Sequence, residues 1–262
     1  MTNSDNVNKG FSSIYEEYDR YENVLNSATW KRKRVYAHVS KFMEASDSIL
    51  ELNAGSGIDA VHFAKQGHRV FATDISDGFL DFLKTKVEQE KLSHLIDYQQ
   101  FSFDKLDALK PQKFNYIFSN KGGLNCIEDL ESTINQFDDL LHDGGKVSLV
   151  IMPKHNPWEW LKIFKNRKQA FRRYQNHLKA NVDGYKIKVW YHPLSQVKAI
   201  IKKKYDILNI ENLGIFFPES NDFHTRHKNT FRFLIWFNKF LAYITPKGIG
   251  DYYIVTFRKK SD

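Results

Sequence analysis

Between Ile49 and Gly57 the chain reads Ile-Leu-Glu-Leu-Asn-Ala-Gly-Ser-Gly, and Asp74 follows seventeen residues after Gly57. A short apolar run ending in a glycine turn before a helix brings backbone close to a ligand. Glycine has no side chain in the way, and a helix start offers unpaired N–H groups. An acid at the end of the next strand is placed to accept both ribose hydroxyls of an adenosine. Strand, glycine loop, helix, strand and acid together are far more specific than glycines alone.

Two adenosine cofactors fit this pattern. Gly55-Ser56-Gly57-Ile58-Asp59-Ala60 satisfies the GxGxxA form used for NAD. Three features favour S-adenosylmethionine, with S-adenosylhomocysteine as product. Glu51 lies in the first strand, two residues before the turn, where a carboxylate answers a cationic amino group that NAD lacks. A helical stretch precedes that strand, whereas NAD-binding domains often begin near it. No His or Lys after the fourth strand stands in a dehydrogenase context.

The elements that would hold these residues alternate. Residues 11–45 carry helical spacing, with Phe11, Tyr15 and Tyr18 at i, i+4, i+7 and Val35, Val39, Phe42 and Met43 further on. Strands are predicted at Ser48–Leu52, Arg69–Thr73, Ile96–Phe101, Phe114–Ser119 and Lys146–Met152, with helices at Ala60–Lys65, Phe79–Glu90 and Leu130–Leu141. This order predicts an α/β fold: a Rossmann-like, mostly parallel sheet with helices on both faces. Two late strands, Tyr205–Leu213 and Tyr252–Arg258, suit an antiparallel pair on the sheet edge. The chain is expected to form one domain with four parts. These are an N-terminal helical cap (1–48), a cofactor-binding core (49–152), a basic aromatic lid insertion read as helical (153–192) and the end of the sheet (193–262), which carries an aromatic helix insertion (229–244).

Over residues 11–152 the chain resembles the class I methyltransferases, in particular the bacterial small-molecule type. Their E/D-x-G-x-G-x-G loop matches Glu51 to Gly57, with Asn53 in place of the first glycine. Asn tolerates left-handed backbone angles better than other non-glycine residues. The resemblance implies that Glu51, Asn53, Gly55 and Gly57 bind the cofactor, with Asp74 on the ribose and Ile75 against the adenine. It places Ser102 and Phe103 in the adenine-side loop, where Ser102 or Asp104 replaces the family's Asp. Ser119 and Asn120 end the fourth-strand motif, in which Asn115 stands where Asp is usual. Tyr18, from the pair Tyr18-Asp19, would reach the methionine end. Phe118-Ser119-Asn120, Leu124-Asn125-Cys126 and Met152…Pro157-Trp158-Glu159-Trp160 look like a bacterial subgroup of unassigned substrate.

The implied reaction is methyl transfer to a small-molecule or lipid-like acceptor, without a metal. A sulfonium already activates the methyl group, so in-line positioning and exclusion of water supply much of the acceleration. A general base is needed only where the acceptor must lose a proton. The catalytic candidates are His155, Asn125 and His192, each of which also fits a packing or capping role. Trp158 and Trp160 fit either anchors for the lid or walls of the substrate pocket. His224 and His227 share i, i+3 spacing, but no carboxylate is placed to complete a metal site. A nucleic-acid methyltransferase is a rival reading and fits poorly, because Ser119-Asn120-Lys121-Gly122 replaces the N/D-P-P-Y of base-directed enzymes. A non-catalytic S-adenosylmethionine-binding module is the third.

The net charge of +8 is concentrated. Pro153–Ala180 holds eight Lys or Arg against one acid, Glu159. That excess predicts an anionic partner, either membrane headgroups or an acidic carrier, met by an amphipathic helix bearing Leu161, Phe164, Phe171, Tyr174 and Leu178 on one face. One cysteine, Cys126, excludes an internal disulfide and a Cys-rich metal site. No apolar run reaches the length of a membrane span, and the polar N-terminus has no secretory core. The expected location is cytoplasmic, with peripheral contact at the inner membrane surface.

Overall fold

Strand β1 (Ser48–Leu52) is buried along almost its whole length. Strands covered on both faces read as near-continuous apolar runs, and β1 is such a run with a single acid, Glu51, inside it. It pairs in parallel with β2 (Arg69–Asp74) and β4 (Phe114–Ser119), so that Glu51 lies between Ala72 and Phe118. β3 (Ile96–Gln100) flanks β2, and β5 (Leu141–Ile151) flanks β4, both parallel. A separate hairpin joins β6 (Leu178–Val182) to β7 (Tyr185–Val189). β8 (Tyr205–Leu213) and β9 (Tyr252–Lys259) complete the main sheet in the order β3-β2-β1-β4-β5-β9-β8, with β9 antiparallel to both neighbours. The computed structural model describes residues 1–23, 27–218 and 226–260.

Helices cover both faces. The N-terminal helical stretch is three helices rather than one: α1 (Asn3–Ser12), α2 (Tyr15–Asn23) and α3 (Ser27–Val39). α1 starts earlier than its apolar spacing suggests, because Thr2 and Asp5 form a reciprocal capping box. α3 packs on one sheet face with α4 (Ile58–Ala64) and α5 (Asp77–Gln89), through Val35, Val39, Phe63, Leu83 and Val87. α6 (Leu130–Leu140) covers the other face through Leu130, Ile134 and Phe137, beside Val197 and Ile201 of a later helix. α3 is also fastened by a buried polar relay. Tyr116 Oη meets Ser148 Oγ at 2.6 Å, Ser148 meets Thr256 at 2.6 Å, and Thr256 meets His38 Nε2 at 2.8 Å. The relay crosses three strands, so the helix cannot slide without leaving buried polar groups unpaired.

The insertion after β5 departs from the helical lid expected of it. It consists of short turns, α7 (Pro157–Trp160) and α8 (Arg167–Ala170), separated by one 3₁₀ turn and followed by a second 3₁₀ turn and the β6–β7 hairpin. Asn156 and Asn166 each cap a new turn, and those side-chain caps restart the backbone before one long helix can form. Leu161, Phe164, Phe171 and Tyr174 are therefore exposed rather than one packed face, and Leu178 is in a strand. α9 (Leu194–Ile201) returns the chain to the sheet, and α10 (Lys228–Ile244) lies between β8 and β9 in sequence.

Asn125 fixes the hairpin to the core. Its amide donates to Met152 O (3.0 Å) and Trp190 O (2.6 Å), and its Oδ1 accepts from Met152 N (2.9 Å). This fully buried side chain is a fastening, not a group presented to substrate. Asn125→Ala would leave buried backbone groups unpaired and should cost about 2–4 kcal/mol in denaturant unfolding. Any loss of turnover should follow the loss of folded protein. A stable variant with abolished turnover would instead make Asn125 a substrate contact.

Candidate active site

A cavity of about 370 Å³ opens at the carboxyl ends of β1, β2, β3 and β4. Ligands of open α/β sheets bind at this edge, where loops diverge from the strands. Its floor is Asn53–Ser56 after β1, Asp74 and Ile75 after β2, and Phe101–Phe103 after β3. Asn120–Gly123 after β4 form the far side. Its cover comes from the N-terminal helices and from the insertion after β5. α1 gives Val7 and Phe11, α2 gives Tyr18 and Glu22, and the β6–β7 hairpin gives Ala180, Val182, Ile187 and Val189. α1 holds the hairpin edge directly: Asn3 donates to Lys188 O (3.2 Å) and accepts from Lys188 N (2.7 Å).

The loop after β1 is built as its sequence suggests, with one compensation. Asn53 and Gly55 have left-handed φ values of 50° and 55°. The Asn53 side chain turns away from the loop and latches the end of β4, donating to Asn120 O (2.7 Å) and accepting from Ser119 Oγ (2.5 Å). A Cβ on Gly123 would stand 2.3 Å from Asn53 Cγ, so Gly123 provides the room that Asn53 occupies. A Cβ on Gly55 would meet nothing within 4 Å, which leaves that backbone open to the cavity.

Asp74 is buried, and its carboxylate already accepts from Gly55 N (2.8 Å) and Ser76 N (2.9 Å). Burial raises its pKa against those backbone donors. Glu51 is raised well above the carboxylate range, first by burial and then by neighbouring Asp59. Its Oε2 has no hydrogen-bond partner, and neither does the buried Oγ of Ser56. A buried carboxylate with an unpaired oxygen is suited to a cationic donor, so the residues present fit S-adenosylmethionine.

Several groups at the site escaped the sequence reading. Arg32 of α3 forms buried ion pairs with Asp59 and with Glu22 (2.8 Å). Asp59 also accepts from Tyr36 and from Asn120 (2.8 Å). Burial works to raise the Asp59 pKa, but Arg32, Tyr36 and Asn120 hold it below the ordinary value. Lys121, in a left-handed conformation (φ 57°) just after β4, pairs with Glu22 at 2.8 Å. No local pattern marks partners so far apart in sequence. The only cue was Asp59 in the first turn after the glycine loop.

The structure separates the catalytic candidates from this cavity. His155 is exposed, with Nδ1 2.6 Å from Tyr174 Oη. His192 is buried with Nε2 3.2 Å from Ile127 O, and burial lowers its pKa. Neither lines the cavity, and neither do Asn125, Trp158 or Trp160. Trp158 anchors instead on Phe216, ring to ring at 4.8 Å. Of the cofactor set, Tyr18, Asn53, Gly55, Asp74, Ile75, Ser102, Phe103 and Asn120 line the cavity. Glu51, Gly57 and Ser119 lie behind that lining. Cys126 lines it too, and burial pushes its thiol up to about 12, far from a reactive thiolate. His224 and the side chain of Asp104 lie outside the described residues. Among the described residues no group of three or more His, Cys, Asp or Glu side chains is placed to hold a metal ion.

Residues 49–145 match the family described as a methyltransferase domain. The chain is 26% identical over 189 residues to a demethylmenaquinone methyltransferase of Lactobacillus johnsonii, covering 67% of this chain and 72% of that one. Phosphoethanolamine N-methyltransferase 2 of Haemonchus contortus, solved with S-adenosylmethionine, shares the fold with a TM-score of 0.63 at 17% identity, over 95% of this chain and 57% of that one. The CcbJ methyltransferase of Streptomyces caelestis does so with a TM-score of 0.59 at 14% identity, over 93% and 96%. The matched core, residues 49–145, on the sheet order and cofactor edge described above, is a class I S-adenosylmethionine-dependent methyltransferase domain. It is an enzyme, and S-adenosylmethionine is its cofactor.

Lys121 supplies a test of the site's electrostatics. Burial pushes its amine down to about 8 despite Glu22, from an ordinary lysine value of 10.5. Between those values the unfolded chain keeps this proton and the folded chain has released it, so stability rises with pH across that window. Selective lysine labelling should find one amine titrating near 8, missing in Lys121→Met. Titration of every lysine together would contradict the buried placement.

Proposed function

We propose that the enzyme methylates a small, apolar or lipid-like acceptor without a metal ion. One observation carries this reading. The cavity beyond Asn120 and Gly123 is walled by Val7, Met152, Ile187 and Val189, which offer apolar contact and few hydrogen-bonding groups. Transfer of an apolar molecule from water to such a wall is favourable in proportion to the area it buries. The quinone-directed name of the Lactobacillus johnsonii relative agrees with it.

In this reading Asp74 accepts from the ribose hydroxyls, Ile75 and Phe103 pack against the adenine, and Ser102 meets its amine. Glu51 answers the ammonium group, and the Gly55–Gly57 backbone follows the chain between them. Tyr18 closes over the methionine end. S-adenosylmethionine supplies a methyl group already activated on sulfur. The protein's part is to hold the acceptor in line from the Asn120–Gly123 side and to keep water out with α1 and the hairpin. An acceptor that must lose a proton would find Lys121, which follows Asn120 in the lining and whose amine is lowered by burial, as one titratable side chain on that side. A nucleic-acid acceptor has no such support, because the approach is covered by apolar side chains rather than a basic groove.

Calorimetry tests the cofactor half. Asp74→Ala should weaken S-adenosylhomocysteine binding by roughly 1.5–3 kcal/mol, the scale of lost charge-assisted hydrogen bonds. Equal affinity would move the ribose elsewhere. A screen of apolar acceptors tests the other half, with S-adenosylhomocysteine release as the readout. No turnover with any of them, but turnover with RNA, would overturn the acceptor class. Turnover should also survive EDTA. A rate restored only by added Mg²⁺ or Zn²⁺ would refute metal independence.

A further inference from the structure

Large apolar side chains exposed on the described surface are gathered in one region. Apart from Met1 and Tyr98, all of them fall in residues 160–174 or in α10. One side of α10 is buried through Phe231, Leu234 and Asn238, the last donating to Phe216 O at 2.7 Å. The opposite side carries Phe233, Trp236, Phe240 and Ile244 at helical spacing, with Trp236 61% exposed. Phe233 stacks on Phe237 with rings 5.8 Å apart, and Trp236 stacks on Phe240 at 6.3 Å. The two segments adjoin: Trp158 packs on Phe216, and Phe216 meets Phe237 at 6.2 Å. Beyond Trp158 the turn presents Trp160, Leu161, Ile163 and Phe164, the last 90% exposed.

The charges of this region have one sign at the surface. Residues 228–247 contain Lys228, Arg232, Lys239 and Lys247 and no acid. Residues 153–174 contain one acid, Glu159, which is buried between Arg172 and Arg173. Those two arginines are therefore internal partners, not the surface cations that the sequence suggested. Arg173 also donates to the backbone of Pro153 and Asp251. Lys165, Arg167 and Lys168 are the exposed ones.

We propose that this face docks the enzyme on an anionic lipid bilayer. Exposed rings and aliphatic side chains rimmed by cations match a bilayer surface, which offers acyl chains below and phosphate charge above. A second copy of the same face would set cation against cation. A single-stranded nucleic acid would use free ring faces, but these rings stack on one another and stand beside aliphatic side chains. α10 would lie in the interface plane, as no described helix is long and apolar enough to cross a membrane. The face also connects to the active site. Trp30 of α3 stacks on Phe217 at 5.1 Å, and Ala28 and Lys31 of the same helix line the cavity. Docking is independent of which acceptor is methylated.

The test is co-sedimentation of the full chain with phosphatidylcholine vesicles, with and without phosphatidylglycerol. Binding should require phosphatidylglycerol and fade as salt is raised. Phe233→Ser combined with Trp236→Ser removes exposed rings, and Lys165→Glu with Arg167→Glu and Lys168→Glu removes surface charge. Each should weaken partitioning by about tenfold or more. S-adenosylhomocysteine affinity should stay unchanged in both, which shows that they fold. No binding to anionic vesicles, equal binding to neutral ones, or unchanged binding by the variants would overturn the proposal. So would a dimer in sedimentation equilibrium that the ring variant dissociates, or RNA retention that it abolishes.

Discussion

The buried ion pair between Arg32 and Asp59 is the constraint on which the site depends. Asp59 belongs to the helix that follows the glycine loop, and Arg32 belongs to the cap. Neither charge can remain buried alone. Removing one partner from such a pair typically costs about 3–5 kcal/mol, because the other is left uncompensated. The pair therefore positions α3 over the loop. Its branches reach further: Glu22 brings α2 and Lys121 into the network, and Asn120 ties in the end of β4. Three chain segments that share no local pattern are thus held around one cavity. Asp59 also contributes to keeping Glu51 above the carboxylate range, so the same network sets the charge beneath the loop.

What the sequence revealed and what it hid follow from the range of the interactions. The inner parallel strands were legible because burial on both faces leaves apolar runs, whereas β3, an edge strand exposed beyond Ile96, was legible by its place in the alternation of strands and helices. The loop and Asp74 were legible because strand, turn and acid are linked by fixed local spacing. The Asn53 departure was legible as a backbone matter, and its φ of 50° agrees. Its compensation by Gly123 was not, since that contact exists only once β1 and β4 are paired. The pairing of Arg32 with Asp59 was silent for the same reason.

The cover was misread for a different reason. Basic and aromatic residues after Pro153 have helix-like spacing, but turn chemistry decides the backbone there. Asp183-Gly184 was the available signal. Both residues have left-handed backbone angles, 46° and 83°, as a two-residue hairpin turn requires. The hairpin, with α1 along its edge, forms the cover that a helical lid was expected to form. The histidine candidates, His155 and His192, lie in the parts of that insertion on either side of the hairpin, and neither part lines the cavity.

Hydrogen exchange of the full chain, with and without S-adenosylhomocysteine, tests the central claim that one cavity joins the β-sheet edge to the N-terminal cap. The ligand should slow exchange at Gly55–Asp59 and at Asp74–Ser76, and also in α2 and the β6–β7 hairpin, which are not part of the main sheet. In Arg32→Met the protection of α2 should be lost while that of the sheet edge persists. Protection limited to the sheet edge in the unaltered protein would contradict the account, as would protection of α2 that survives loss of Arg32.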